Sequence, residues 1–271
     1  MLRTDRSRFG RLRVDREPID VNDLPRTSIR VPAPRREPFS AAAVEEIRRS
    51  RRHPRRTDYL YLHLRYLVDD LARTLATLRV RDVLDVYCGA RPYEDLLPKG
   101  ARCIGLDVDQ AYRSADVVSD RFLPFEDGSF DLVLCAQAFY FVPRPVEAVA
   151  EIARVLRPEG TVVMTLRVAY PGTDRLYSED QLRELFTAWN DLSIVASGGT
   201  AVSRAKLSGY FLHQAEKRLS GPARLLRVGF PLCYWGVNTV GSILNAVERR
   251  YLQEADRLPT NLLLTATRPS T

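Results

Sequence analysis

The sequence is poor in the residues that build metal and disulfide sites. Its 271 residues include only four cysteines, Cys88, Cys103, Cys135 and Cys233, and no two form a C-x-x-C pair. That spacing excludes a disulfide scaffold or a zinc ribbon and suits a reducing compartment, so a cytoplasmic setting is expected. Three histidines, His53, His63 and His213, stand apart from each other and from the cysteines, so no metal is expected. The first residues contain no apolar run of the kind that opens a secretory signal, and none is expected. A G-x-G-x-x-G fingerprint is also missing: Tyr87 and Arg91 occupy two positions where such loops carry glycine.

Acidic charge is scarce at one end only. Residues 1–56 hold 16 Arg against 8 Asp and Glu, a charge of +8, and the rest of the chain sums to −1. The basic character therefore belongs to an N-terminal arm and not to a core. Residues 1–38, with Pro18, Pro25, Pro32, Pro34 and Pro38, read as poorly ordered. Ser40 can cap a short helix through Val44 and Ile47. The run Arg48, Arg49, Arg51, Arg52, Arg55, Arg56 reads as a solvated linker, as a contact for anionic lipid or another acidic partner, or as a nucleic-acid contact. A near-neutral core without an RNA-binding module makes nucleic acid the least favoured of these.

Beyond the arm, apolar residues at helical spacing (Leu60, Leu62, Leu64, Leu67, Leu71, Leu75, Leu78) predict a helix over 58–78. Strands are predicted near 82–87, 102–107, 115–119, 131–136, 160–167, 191–197 and 261–267, with helices between most of them. Such alternation implies a mainly parallel sheet covered on both faces. Ser178 with Gln181 forms a capping-box signature, and a helix over 146–156 is expected to stop at Pro158 and Gly160. About 60 residues of helical character separate the last two strands. Within them, 229–247 is free of charge and flanked by Arg224, Arg227, Arg249 and Arg250. Pro231, Asn238, Thr239, Ser242 and Asn245 dilute its hydrophobicity. It reads as a buried cap-helix pair, as an in-plane membrane contact, or as a span. The expected organisation is an arm over 1–56, a main domain over 57–199 and 259–271, and a helical cap over 200–258.

The chemistry concentrates in 83–107. Val83, Leu84 and Val86 form an apolar strand that breaks at Gly89, and a helix is expected to restart there with Pro92 at its first position and Glu94 and Asp95 in its first turn. A strand–glycine–helix unit brings backbone N–H groups close to a ligand. A second strand ends at Asp107, 22 residues after Asp85. A carboxylate there can accept hydrogen bonds from both ribose hydroxyls of a nucleoside, as in dinucleotide-binding units of similar spacing. On these residues alone, an α/β domain with a glycine turn and no nucleotide also fits.

The continuation carries a family resemblance. Asp120, Leu123-Pro124-Phe125, Asp127 to Asp131, Val142-Pro143-Arg144-Pro145 and Glu151 to Gly160 fall in the order of an acidic residue before L-P-F, D-x-S-F-D, V-P-x-P and E-x-x-R-V-L-x-P-G-G. Over about 80–168 the chain resembles the class I S-adenosylmethionine-dependent methyltransferases of the type-11 group. Many of them read G-C-G-x-x-P-Y in the first loop, matching Cys88, Gly89, Pro92 and Tyr93. The resemblance implies a Rossmann-like α/β fold, here with a seven-stranded mainly parallel sheet, helices on both faces and a helical cap before the last strand. It implies S-adenosyl-L-methionine as cofactor. Asp85, Tyr87 and Gly89 would line its methionine side, and Asp107 with Val108 would hold the ribose. Asp120, Arg121 and Phe122 would border the adenine, and Gln137 would stand where the methionine part meets the substrate. Two departures stand out. Tyr87 replaces a usual glycine, and Tyr140-Phe141 replaces an E-H pair after the fourth strand.

Methyl transfer needs nucleophile, methyl carbon and sulfur held in line, with water excluded. A hydroxyl acceptor also benefits from a general base. Tyr140 and His213 are the catalytic candidates, with Arg167 and Tyr170 nearby by location; His213 also reads as an ordinary cap-helix histidine. The absence of an N-P-P-Y motif speaks against an exocyclic nitrogen as acceptor. Three functions follow: a methyltransferase of a small-molecule, glycan or lipid-linked acceptor, with oxygen the expected acceptor atom; an RNA methyltransferase using the arm; and a non-catalytic relative at a membrane surface. Membrane contact would run through 1–56 and 222–250, peripheral to the inner face.

Overall fold

The computed structural model describes Ile29 and residues 37–119, 122–168, 176–253 and 258–270. Seven strands form one sheet: β1 (Asp82–Val86), β2 (Arg102–Asp107), β3 (Val117–Val118), β4 (Phe130–Ala136), β5 (Leu156–Arg167), β6 (Asn190–Ser197) and β7 (Asn261–Thr267). Their order is β3-β2-β1-β4-β5-β7-β6. The first five run parallel, and β7 pairs antiparallel with both β5 and β6. The predicted strands and the Rossmann-like class are thus present. The order in which strands are added switches sides between β1 and β4, which opens a crevice beyond their C-terminal ends, the place where open α/β sheets bind ligands.

Alternation within β1 builds two cores. Leu84 and Val86 pack with Val133, Phe139 and Ile152 on one face, under α3 (Pro145–Val155) and α4 (Glu179–Leu185). Val83 packs with Leu67, Leu71, Leu75 and Leu134 on the other, under α2 (Tyr61–Leu75). Ser178 caps α4 with the predicted reciprocal box: its hydroxyl accepts the Gln181 N–H and its own N–H donates to Gln181 Oε1.

Three expectations are modified. The helix predicted after Gly89 is a single 3-10 turn, Glu94–Leu96. Left-handed backbone at Arg91 and the Pro98-Lys99-Gly100 stop leave too few residues for an α-helix. The stop expected at Pro158 is unnecessary, because β5 already starts at Leu156, directly after α3. And part of the arm belongs to the fold. α1 (Ala41–Arg52) is capped by Ser40 as expected, yet it docks on the segment after β1: Arg48 Nε donates to the Ala90 carbonyl (2.9 Å) and Arg52 pairs with Asp95. Ile29 is fully buried and its carbonyl accepts the Phe122 N–H (3.0 Å).

The segment before β7 is helical, as expected. It contains α5 (Thr200–Arg218), a 3-10 stretch (Gly221–Gly229) and α6 (Phe230–Tyr251). α5 and α6 pack against each other and against α2. None of the described helices is long and apolar enough to cross a membrane.

Candidate active site

The tips of β1 and β2 are tied together through one carboxylate. Asp107 accepts the Gly89 N–H (3.0 Å) on one oxygen and the Val108 N–H (2.8 Å) on the other. Tyr87, Gly89 and Arg91 all have φ between 51° and 56°, so the loop between these strands is built from left-handed residues. That geometry explains why glycine is usual at the position of Tyr87, since a side chain there costs roughly 1–2 kcal/mol. At Gly89 it is likewise the backbone angle that calls for glycine; an added Cβ would sit 3.7 Å from the Tyr112 ring, an ordinary contact. Arg91 is pinned by Asp116, Glu94 and the Cys103 carbonyl, which holds the loop in place.

Above these tips lies a cavity of about 570 Å³. Asp85, Tyr87, Gly89, Asp107, Val108 and Gln137, six of the residues singled out for a cofactor, line it. Phe122 stands behind the wall, fully buried, with its ring centroid 6.2 Å from that of Tyr87. Asp120 and Arg121 lie outside the described residues, as does Tyr170. Asp85 is buried at the end of β1, and among the described residues no donor reaches its carboxylate. Burial raises its pKa to about 7, against a lowering by Arg91. The Tyr87 hydroxyl is buried without a hydrogen-bond partner. A buried acid lacking a donor and an orphaned hydroxyl on one cavity wall are what a cationic, polar ligand would satisfy.

The loop carrying Phe122 is held from α3. Arg154 donates to the Leu123 (3.0 Å) and Phe125 (2.7 Å) carbonyls and pairs with Asp127 and the buried Glu151. The E-x-x-R part of the sequence pattern is therefore a clamp on the L-P-F loop.

A second cavity, about 390 Å³, adjoins the first and shares Ile47, Arg51, Tyr93, Tyr112, Gln137 and Arg167 with it. Gln137 sits at the junction with φ 59°. Its backbone N–H donates to Thr165 O (2.9 Å), its side-chain amide donates to Asn261 Oδ1 (3.2 Å), and its carbonyl accepts Arg167 Nε (2.8 Å). Tyr140 lines the first cavity, with the Arg167 guanidinium 5.4 Å above its ring. His213 lines the second, stacked on Tyr59 at 4.1 Å and with Nδ1 3.4 Å from Glu216 Oε2. The two catalytic candidates thus sit in different, adjoining cavities.

Sequence reasoning missed three residues here. His63 is buried and lines the second cavity with Nδ1 unpartnered. Burial, then Lys206, Arg167 and Arg51, push its pKa well down, so it is a neutral imidazole. Lys206, on α5, is nearly as buried, and burial followed by Arg167 brings its pKa to about 7. Arg51 of α1 borders both cavities. A histidine amid the leucines of the 58–78 helix was the available signal, since a polar residue on the core face of an amphipathic helix needs a reason. Among the described residues no group of three His, Cys, Asp or Glu could hold a metal ion.

Comparison with known proteins agrees with this geometry. Residues 84–164 match the family model described as "Methyltransferase domain". The chain is 28% identical over 165 residues to malonyl-[acyl-carrier protein] O-methyltransferase of Methylococcus capsulatus, covering 55% of this chain and 56% of that protein. It is 31% identical over 104 residues to the chloroplastic tocopherol O-methyltransferase of Arabidopsis thaliana, covering 32% of this chain and 30% of that one. A third relative, the ubiquinone biosynthesis O-methyltransferase of Alkalilimnicola ehrlichii, is 29% identical over 116 residues, or 36% and 46% of the two chains. The matches thus span 30–56% of these relatives' lengths. Among solved structures, a Galdieria sulphuraria protein assigned as a sarcosine dimethylglycine methyltransferase shares the fold at TM-score 0.51 and 16% identity, over 84% of this chain and 99% of that one.

Proposed function

Residues 84–164 match the methyltransferase domain family, and we propose that the chain is a class I S-adenosylmethionine-dependent methyltransferase that transfers a methyl group to an oxygen of a small-molecule, glycan or lipid-linked acceptor. The observation that carries the reading is the pair of adjoining cavities meeting at Gln137 and Arg167. One is sized and lined for the cofactor, and the other faces it across the point where a methyl group would leave. The three curated relatives named above are O-methyltransferases, which supports oxygen as the acceptor atom.

The residues fit S-adenosyl-L-methionine. Asp85, buried and without a donor, would take the ammonium group, and Arg51, on the same cavity, would face the carboxylate. Asp107 would accept from the ribose hydroxyls while keeping the Gly89 and Val108 N–H bonds. Tyr87 would give its hydroxyl a partner, and Phe122 would hold the Tyr87 ring from behind. Asp120 and Arg121 would border the adenine. When bound, the cofactor supplies the sulfonium-activated methyl group. The protein's own task is then to orient the acceptor and keep water out.

Gln137, fixed by Thr165, Asn261 and Arg167, orients groups at the junction. His63 stands against it as a neutral imidazole with a free Nδ1, able to accept a hydrogen bond from an acceptor hydroxyl. His213 is backed by Glu216, which also accepts from the Tyr234 hydroxyl (2.5 Å). His213, stacked on Tyr59 in the second cavity, is the residue we assign as proton acceptor for a hydroxyl entering there. Tyr140, held under Arg167, would shape the methyl-transfer point.

The test is transfer of a tritium-labelled methyl group from S-adenosylmethionine to a panel of phenols, carboxylates, lipid-linked sugars and amines. Labelling of an oxygen acceptor, reduced about tenfold or more by His213→Asn, supports the reading. Binding of S-adenosylhomocysteine with label found only on nitrogen acceptors would replace it. Failure to bind S-adenosylhomocysteine at all would remove it.

A further inference from the structure

α6 is an inverted amphipathic helix. Its buried residues are Tyr234, Asn238, Gly241, Asn245 and Glu248, which recur at helical spacing along one face. These face inward because each has a partner there. Asn238 Nδ2 donates to the carbonyls of Arg56 (2.8 Å) and Asp58 (2.9 Å). Asn245 Nδ2 donates to the Tyr66 hydroxyl (2.6 Å). Glu248 accepts the first N–H groups of α5, from Thr200 (2.7 Å) and Ala201 (2.8 Å), where a carboxylate also complements the helix dipole. Gly241 lets α6 come close: a Cβ there would lie 2.7 Å from Ala205 Cβ and 2.8 Å from Leu62 Cδ1.

The outward face is apolar. Leu232, Trp235, Val240, Ile243, Leu244 and Val247 are about half exposed or more, and Leu225, Leu226 and Val228 of the preceding 3-10 stretch extend the patch, with Val228 at 85%. A soluble surface rarely carries so many large apolar side chains side by side. The apolar run read as a candidate for burial in the cap therefore faces outward, because the polar residues hold the inner contacts. Among the described residues exposed along its edges, the charge has one sign. No Asp or Glu occurs between Glu216 and Glu248, while Lys217, Arg218, Arg224, Arg249 and Arg250 are exposed at its edges.

From this arrangement we infer that α6 and the 3-10 stretch before it form a docking surface for an anionic lipid bilayer, lying in the plane of the interface. The apolar face enters the boundary between headgroups and acyl chains, and the flanking arginines meet the phosphates. A crossing orientation is not open to it, since no described helix is long and apolar enough. A second copy of the chain suits the face less well. Pairing of the two patches, parallel or antiparallel, sets arginine-edged ends against each other with no carboxylate to answer them. Arg49, Arg51 and Arg52 of α1, in contrast, are engaged elsewhere: Arg49 pairs with Glu46, Arg52 with Asp95, and Arg51 lines the cavities.

Docking by α6 also has a consequence for the site, resting on the proposed function. Tyr234 on its inner face lines the second cavity. The helix that touches the membrane is thus a wall of the acceptor pocket, which suits a lipid-linked acceptor.

The test is flotation of the full-length protein with vesicles of phosphatidylcholine containing phosphatidylglycerol, compared with pure phosphatidylcholine. We expect binding to the anionic vesicles that weakens as salt rises. Ile243→Asp with Val247→Asp should reduce it about tenfold or more, because charge replaces the inserted face. Arg249→Glu with Arg250→Glu should abolish the preference for anionic lipid. All four positions are exposed, and S-adenosylhomocysteine affinity and the melting curve report that the variants stay folded. In a Trp189→Phe background, Trp235 emission should shift to shorter wavelength on vesicle addition. Absence of vesicle binding by the wild type overturns the inference. So does binding that the Ile243/Val247 variant retains, or concentration-dependent self-association that this variant abolishes while vesicles have no effect. These outcomes are independent of cofactor binding, so failure here leaves the methyltransferase reading standing, and the reverse holds.

Discussion

The Gly89 N–H donates to the Asp107 carboxylate across the tips of β1 and β2, 3.0 Å away. One side chain thus ties the glycine turn to the end of β2, and removing it should act on both. Asp107→Ala should weaken S-adenosylhomocysteine binding by about 1.5–3 kcal/mol for each charge-assisted hydrogen bond lost, at least tenfold in affinity. Calorimetric titration measures this, and unchanged affinity would show that Asp107 does not hold the ribose.

Asp85 makes cofactor binding depend on pH. Its carboxyl is raised to about 7 by burial, so below that pH it is protonated in the free protein. An ammonium group beside it favours the carboxylate, and binding then expels the proton. Affinity should fall as pH drops through about 7, by up to about tenfold per unit, and Asp85→Asn should bind weakly with a flatter profile. For folding the sign is the opposite. The native pKa lies above the unfolded value of 3.8, so the native state holds an extra proton between about 4 and 7. Its contribution to stability is greatest at the acid end and is lost as pH rises through 7. Asp85→Asn should therefore raise the melting temperature most at pH 8.

Tyr87→Phe should separate stability from binding. The hydroxyl is buried without a partner, and deleting such a group stabilises the protein by about 1 kcal/mol. If ligand supplies the partner, the same change weakens S-adenosylhomocysteine binding. A higher melting temperature with lower affinity is expected; equal affinity would remove Tyr87 from the cofactor's polar contacts.

Arg154→Met should be among the most damaging single changes. Arg154 holds two carbonyls of the 122–128 loop and neutralises the buried Glu151. Removing one partner of a buried ion pair costs about 3–5 kcal/mol. Adding Glu151→Leu should recover much of the loss in a urea melt while leaving the loop unclamped, so cofactor affinity should stay low in the double variant.

Much of the fold was legible because its signals are local. All seven strands are short apolar runs broken by turns, and Ser178 declares its own cap. The wall of the first cavity was legible for the same reason: Asp85, Gly89 and Asp107 lie at or just beyond strand ends marked by the sequence. What escaped depends on long-range packing. Arg51 looked like one more arginine of a basic run, and only the docking of α1 beside Ala90 and Asp95 brings it to the cavities. His63 and Lys206 lie 143 positions apart and meet only when α2 packs on α5. The orientation of α6 was hidden because its periodicity marks two faces without saying which one is inside; the partners of Asn238, Asn245 and Glu248 decide it.

The most direct test of the central claim is calorimetric titration of S-adenosylhomocysteine into the full-length protein at pH 8, where Asp85 is ionised. One site per chain is predicted, with affinity reduced in both Asp85→Asn and Asp107→Ala. A protein that melts cooperatively yet takes up no S-adenosylhomocysteine, or binds it equally well without these two carboxylates, would contradict the account.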